Sequence, residues 1–456
     1  MSDPQTLPTW LDASAAALAG AVSPADTLAG ALPGLAQAQS LTPVQRLQRV
    51  QESGLAECGG AGEPIYLAWR QFLRGRGPSG LVIDATDLDP RALGSAAVLG
   101  SATWLLAEGL LIAASLRDSR KVELRLPAEL TGYEAAFLNT AEAIQRLKQA
   151  SVPHIQLEVL RNSRPSCWGE GQASDRSRLV HTPETWCRIA LLFAGAPDLD
   201  AALLTLRGGT AQRGLVELAR AGNLRSQIEA WGGGSAGPDQ DPMLVFDDGL
   251  GGFLPLSQAD LSSNPLSLAS AGIIPVPSTL LVTADSTAVV KQTRRALYRH
   301  WQLAEGEAAF VRGLLVRAAR LVTELTLGRG EAGHLVALDE VALELAAQGL
   351  AAAWPLGSSL RYYRAQWESQ VRHESRLEGF YLKPDPAPCH RTCPANIDIP
   401  SFIAQLGAGD YRATIEIIRR DNPLPLVCGL VCPAPCESAC VRGGLALHCP
   451  SSGVEL

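Results

Sequence analysis

The chain is 456 residues long, 46% apolar and 19% charged, with a formal net charge of −7. That length suits about two to four domains, and the composition is that of a folded globular protein. The negative balance gives no electrostatic case for nucleic acid or an anionic membrane as partner.

The start, Met1-Ser2-Asp3-Pro4, lacks a basic region followed by an apolar one, so the sequence predicts a cytoplasmic protein. Residues 1–50 carry Ala and Leu at helical spacing. Within them Thr42 is a helix cap, Pro43 sits at the first helical position and Val44 to Ser53 continue the helix. Gly59-Gly60-Ala61-Gly62 then breaks the pattern. Leu81-Val82-Ile83 reads as a buried strand. Val122 to Leu126 and Ile155 to Leu160 are further strands, with a helix from Tyr133 to Ala150 between them. Strands alternating with helices predict an α/β layer structure. Leu93 to Leu116 resembles a membrane span, but Glu108 sits inside it and glycines and serines dilute it. A buried helix pair is expected there, and no membrane insertion.

Residues 201–275 change character. Strand-like runs at Leu203 to Leu206, Met243 to Phe246 and Thr279 to Val282 are separated by Gly-rich turns, which predicts a small β-rich module. Ser286 to Gln370 has helical periodicity, with Leu314, Leu315, Ala318, Leu321, Val322 and Leu325 apolar, and reads as a helical bundle. A Pro-rich link from Tyr381 to Pro388 leads into a Cys-rich tail, and no internal repeat is evident.

Seven of the ten cysteines lie in that tail: Cys389, Cys393, Cys428, Cys432, Cys436, Cys440 and Cys449. The spacing is Cys-x3-Cys-Pro, then Cys-x3-Cys-Pro-x-Pro-Cys-x3-Cys. Soft thiolates converging in tight clusters suit iron–sulfur cubanes. Zinc also uses paired cysteines and stays open as a rival. Disulfides are disfavoured without a secretory signal. Steps of four from Cys428 to Cys440 would share one helical face, but Pro433 and Pro435 forbid a continuous helix and predict a looped nest. His390 and His448 flank cysteines. Cys58, Cys167 and Cys187 read as ordinary buried thiols.

Residues 41–375 resemble the NADH-binding flavoprotein subunit of respiratory complex I and of related hydrogenases and formate dehydrogenases. Leu41 to Trp69, LTPVQRLQRVQESGLAECGGAGEPIYLAW, resembles the family's helix and its S-G-L-R-G-R-G-G-A-G-F-P loop with a nearby K-W. TWLLAEGLLIAASL resembles the E-G-x-x-I-A-A helix. GLGGFLP and SAGIIPVPSTLLVTADST resemble the ubiquitin-like segment, and WPLGSSLRYYRAQWES the end of the bundle. The resemblance implies that the glycine loop once approached a flavin phosphate through backbone N–H groups. It makes Gly59, Gly60, Gly62 and Glu184 the candidate residues of a vestigial FMN site.

The departures are as telling. The loop's arginine is replaced near Glu57 and Cys58, its phenylalanine by Glu63 and the lysine by Ala68. N-A-D-E-G-x-P-G becomes Asp84-Ala85-Thr86-Asp87-Leu88-Asp89-Pro90, so Leu88 replaces a glycine. His181 and Thr182 replace asparagines. RNSRPSCWGEGQAS keeps only Gly169 and Glu170 of G-A-G-x-Y-x-C-G-E-E. No cysteine occurs from Arg188 to Pro388, so the family's own cluster cannot be built. FMN is expected to be absent.

Residues 386–443 resemble the N-terminal iron–sulfur domain of the glutamate synthase small subunit and of dihydropyrimidine dehydrogenase. The carriers are C-x3-C-P, I-D-I-P-x-F-I, N-P-L-P, C-G-x-V-C-P-x-P-C-E-x2-C and Arg442. That domain type carries two [4Fe-4S] clusters and docks on an FAD- and NAD(P)H-using domain. Its upstream C-x2-C is absent near Tyr381 and Pro384. By this resemblance one cluster draws on Cys393, Cys432 and Cys436, and a second on Cys389 and Cys440 with Cys428 or Cys449. Seven thiolates cannot supply two all-Cys sites, so one or two clusters are expected.

The expected fold is α/β: a Rossmann-like flavoprotein-type layer, a small β-grasp module, a helical bundle and a C-terminal helical Fe–S module. The segments are N-terminal helices (1–54), a degenerate FMN/NADH-type domain (55–200), a β-grasp-like module (201–285), the bundle (286–378) and the Fe–S domain (379–456). The expected role is a non-catalytic scaffold and electron-transfer subunit of an NAD(P)-linked or flavin-bifurcating oxidoreductase. Its expected partners are an FAD/NAD(P)-binding glutamate-synthase-like subunit and other Fe–S redox subunits. Two alternatives stay open: an active FMN-dependent NADH diaphorase subunit, and an assembly protein with a zinc-bound tail.

Overall fold

The computed structural model describes residues 32–117, 119–127, 138, 156–160, 177–196, 199–232, 241–304, 309–372, 387–407 and 410–438. Residues 1–31, the helix expected from Tyr133 to Ala150 apart from Leu138, and Cys167, Gly169 and Glu170 lie outside the described residues. So do most of the Pro-rich link, Cys440, Arg442, His448 and Cys449. The chain divides into two compact units, Met1–Arg376 and Leu377–Leu456.

The first unit opens with α1 (Pro33–Gln39) and α2 (Pro43–Ser53). Thr42 caps α2 as expected. Its hydroxyl accepts from the Gln45 N–H, and the Gln45 side chain accepts from the Thr42 N–H at 2.9 Å. Gly54, at φ 64°, ends the helix. After α3 (Ile65–Arg74) and β1 (Gly80–Asp84) come α4 (Gly94–Ser101) and α5 (Thr103–Ala114), bent by 90° at their junction. Ten of the residues of α5, from Thr103 to Ala114, are buried. No single described helix is long and apolar enough to cross a membrane.

Next come β2 (Lys121–Arg125), β3 (Gln156–Leu160), β4 (Arg178–His181) and α6 (Pro183–Ala194). The four strands form a wholly parallel sheet in the order β3-β2-β1-β4. Parallel strands need helical crossovers and burial on both faces. Trp69, Phe72, Trp186 and Phe193 supply the large fully buried side chains of this core.

The mixed sheet follows: β5 (Ala201–Gly208), β6 (Gly214–Ala219), α7 (Leu224–Ala230), β7 (Met243–Phe246), β8 (Gly252–Pro255), α8 (Pro265–Ser270) and β9 (Thr279–Thr283). Its order is β6-β5-β9-β7-β8, with β5 and β9 parallel and the other pairs antiparallel. The helices α9 (Val289–Leu303), α10 (Ala309–Thr326), α11 (Ala332–Ala347), α12 (Ala353–Tyr362) and α13 (Arg364–Val371) close the unit. They pack around Leu297, Leu315, Val322, Leu338, Leu345 and Trp367.

The second unit holds α14 (Pro388–Thr392), α15 (Ile399–Gly407), α16 (Tyr411–Asp421), α17 (Pro425–Val431) and α18 (Pro435–Ser438). Asp410 caps α16 by accepting from the Ala413 N–H at 2.9 Å. α15 packs on α16, and α14 on α18.

Candidate functional site

In the second unit, two short helices each begin with proline and end at a Cys-Pro pair. α14 runs from Pro388 to Thr392 and is capped by Cys393, and α17 runs from Pro425 to Val431 and is capped by Cys432. The pyrrolidine ring fixes its own φ and pushes the residue before it out of the helical region, so each helix must stop at its cysteine. The chain then turns through a left-handed residue, Asn396 at φ 53° after the first pair and Ala434 at φ 50° after the second. The expected interruption at Pro433 and Pro435 is present, between α17 and α18.

Cys389 and Cys428 lie within the two helices, each four residues before its Cys-Pro pair, and Cys436 lies in α18. The packing of α14 on α18 brings the Cys389–Cys393 segment to the Cys436 segment. Cys428 and Cys432 are exposed, and Cys389, Cys393 and Cys436 half-buried. The Ala434 N–H already donates to Cys432 Sγ at 3.4 Å. An amide aimed at a ligand sulfur is one lever by which a protein tunes an iron–sulfur centre. The chemistry of this donor set fits a cubane: soft cysteine sulfurs from two segments stiffened by proline, with a hydrogen bond to one sulfur in place. Among the described residues no three Cys, His, Asp or Glu side chains close into a metal-holding group. His390 stands 4.0 Å from Asp398.

In the first unit, the glycine loop lies beside the start of α6. Glu57 Oε1 accepts from the Thr182 N–H at 3.0 Å, the Thr182 hydroxyl at 2.9 Å and the Thr185 hydroxyl at 2.5 Å. Its Oε2 is 2.5 Å from His181 Nδ1. The indole N–H of Trp69 can only donate, and it meets His181 Nε2 at 3.2 Å. Burial opposes ionisation of Glu57, but His181 and the hydrogen bonds from Thr185 and Thr182 outweigh it. The carboxyl is held below its usual range.

Glu57, seen in the sequence only as a departure from the loop pattern, takes these donors, while Glu63, the other acidic departure, is exposed. Gly60 and Gly62 have φ of 62° and 64°. A Cβ at Gly59 would meet Thr182 Cγ2 at 2.8 Å, and one at Gly62 would meet Val276 and Pro265. The loop is packed against protein on those sides. Leu88 packs on the core of the mixed sheet. As they stand, these residues do not fit a flavin phosphate.

Glu184 is turned to structural use. Both its oxygens accept from the Leu203 N–H at 3.0 Å, and Arg188 Nε donates to it at 2.8 Å. Arg188 also reaches Glu217 at 3.0 Å. Arg220 Nη2 donates to the Glu57 carbonyl at 2.7 Å. The Thr205 hydroxyl accepts from the Leu93 N–H at 2.8 Å, and the Thr279 hydroxyl donates to Asp89 at 2.8 Å. These bonds tie the parallel sheet layer to the mixed sheet. Cys187 is fully buried, and burial pushes the Cys58 thiol up to about 12. Neither is poised as a nucleophile.

Residues 382–448 match the family described as dihydropyrimidine dehydrogenase domain II, 4Fe-4S cluster. The NADPH-Fe(3+) oxidoreductase subunit beta of Geobacter sulfurreducens is 50% identical over 56 residues, 12% of this chain and 8% of that one. The NADP(+)-dependent formate dehydrogenase subunit beta of Moorella thermoacetica is 44% identical over 59 residues, 13% of this chain and 8% of that one. The chain thus spans about 8% of the length of these relatives. A crystal structure of an NAD+-reducing [NiFe]-hydrogenase superposes with a TM-score of 0.60 at 20% identity, covering 80% of this chain and 67% of that one. That likeness concerns the fold. Residues 382–448 thus resemble a 4Fe-4S domain, the relatives are subunits of NAD(P)-dependent oxidoreductases, and the chain shares the mixed α/β fold of that hydrogenase chain.

Proposed function

We propose that the chain is a non-catalytic scaffold and electron-transfer subunit of a multisubunit NAD(P)-linked oxidoreductase. The observation that carries this reading is the pair of Cys-Pro helix stops, with an N–H already directed at Cys432 Sγ. A bound [4Fe-4S] cluster supplies one-electron exchange. Cys393, Cys432 and Cys436 are its ligands, with Cys389, Cys428, Cys440 and Cys449 available to complete it or hold a second. The partners are an FAD/NAD(P)-binding glutamate-synthase-like subunit and other Fe–S redox subunits.

The body carries no FMN in this reading, and Gly59, Gly60, Gly62 and Glu184 are vestiges of a cofactor loop. Glu57 at the start of α6 and the bonds from Glu184 and Arg220 support that. The order β6-β5-β9-β7-β8 supports a β-grasp-like module.

Purification of the native assembly tests the proposal. Iron, acid-labile sulfide and a flavoprotein should accompany the chain, and the chain expressed alone should release no FMN. A tail holding zinc without sulfide would overturn the relay, and stoichiometric FMN would overturn the non-catalytic body.

A further inference from the structure

A helix N-terminus presents N–H groups without intrahelical partners and a positive dipole end, which together favour an anion. In α6, twelve residues long, that end is already taken. The anion is the side chain of Glu57, 125 residues earlier in sequence than Thr182, and only 12% of that side chain is exposed. Four donors converge on it: the Thr182 N–H, the hydroxyls of Thr182 and Thr185, and His181 Nδ1. The supports are themselves held. Trp69 locks the His181 ring, Thr185 Oγ1 accepts from the Cys58 N–H at 2.9 Å, and Arg220 holds the Glu57 carbonyl. Beside this carboxylate the glycine loop keeps left-handed Gly60 open, with nothing near its Cβ position. The arrangement is an anion site complete in its donors and filled from within the chain.

We propose that Glu57 is a built-in substitute for an anionic ligand, so that the loop, β4 and α6 assemble around the chain's own carboxylate. This rests on the reading of the body as flavin-free. The other charged or titratable groups facing this carboxylate and its loop are His181 on β4, Arg220 after β6, Cys58, and Glu184 and Arg188 on α6.

The test is thermal unfolding of the full chain as wild type, Glu57→Ala and Glu57→Gln, in chloride and in inorganic phosphate at matched ionic strength. Phosphate raises the stability of most proteins by exclusion, so the readout is each variant's shift minus that of wild type. Glu57→Ala should melt roughly 3–8 °C lower in chloride, from the loss of a buried charged acceptor. Phosphate should recover most of that saturably. Glu57→Gln still fills the space and should show no phosphate rescue. A Glu57→Ala response no larger than that of wild type would overturn the proposal.

If Glu57→Ala does not fold, the acid limb decides. Glu57 ionises more readily folded than unfolded, so its stabilisation is present above the unfolded carboxyl range and is lost as pH falls through its lowered folded value. Glu57→Gln should lack that part of the acid loss, and identical limbs would overturn the proposal. FMN found in the wild-type chain would overturn the flavin-free reading, whereas failed rescue in a flavin-free chain overturns only the role of Glu57.

Discussion

Cys393 and Cys432 leave their helices with nearly the same backbone: φ −70° and ψ 118° in the first, φ −70° and ψ 125° in the second. They are 39 positions apart, yet each caps a helix opened by proline and each is followed by proline. A thiol at the end of such a stop has few backbone states to lose when it is ligated. Two stops of one design hold the two cysteine backbones alike, which suits the proposed reading of both as ligands of one inorganic core.

Cys432→Ser is expected to lower iron and sulfide content and bleach part of the broad visible absorbance. Ligation energy is also folding energy in a small metal-bound unit, so residues 387–438 should become more sensitive to protease. Electron transfer through the assembly should fall while the partner flavin still reduces with its nucleotide. A variant with full iron and sulfide would remove Cys432 from the ligand set.

Gly109→Ala is expected to destabilise the first unit by about 3 kcal/mol or more. A Cβ at Gly109 would collide with the Trp186 carbonyl oxygen, where α5 crosses α6, and backbone cannot yield as a side chain can. The contrasting case is Gly313, on the exposed side of α10, where a Cβ meets open space. Gly313→Ala should stabilise by about 0.5–1 kcal/mol through helix propensity. Denaturant unfolding of both variants measures the difference.

Local signals were legible in the sequence and distant pairings were not. Thr42 and Gln45 are neighbours, so the capping box at α2 could be read directly. Leu81 to Ile83 is an apolar run, so β1 could be read as well. β4, by contrast, is the four residues Arg178-Leu-Val-His181, too short and too polar to stand out, although it completes the parallel sheet. β8 begins at Gly252, within a glycine-rich stretch that reads as a turn. Glu57 could be seen to break a glycine-loop pattern, but its bond to His181 joins residues 124 apart and exists only once β4 is in place. The cysteine types announced iron–sulfur chemistry. The equal backbone of Cys393 and Cys432 needed the fold.

Glu184→Ala is expected to cost about 3–5 kcal/mol of stability, because Arg188 is buried beside it and would keep one carboxylate fewer. The Leu203 N–H would lose its acceptor as well. In an assembly that still forms, electron transfer should stay within a few-fold, since the residue links two layers and touches no cofactor in the proposed reading. A loss of several hundred-fold in the intact assembly, about 3–4 kcal/mol of barrier, would return chemistry to the body.

Glu108 sets the last expectation, a pH dependence. The residue lies in α5, only 2% exposed, and accepts from the Gly34 and Leu35 N–H groups at the start of α1. Burial outweighs those two hydrogen bonds and raises its carboxyl to about 7. A raised value means that the folded state prefers the neutral acid, whose carbonyl oxygen can still accept from Leu35. The associated stability is fully present below the unfolded carboxyl range, near 4.5, and is lost as pH rises through about 7. The loss between pH 5 and 8 should reach about 3 kcal/mol at most. Burial also raises Asp87 and Asp247 to about 7, so the whole unit shifts in the same direction. The informative quantity is therefore the difference between wild type and Glu108→Gln, measured by denaturant unfolding across that range. The amide cannot ionise, so the variant should lose distinctly less stability than wild type on going from pH 5 to pH 8. Equal slopes in the two proteins would show that Glu108 does not change charge in this window.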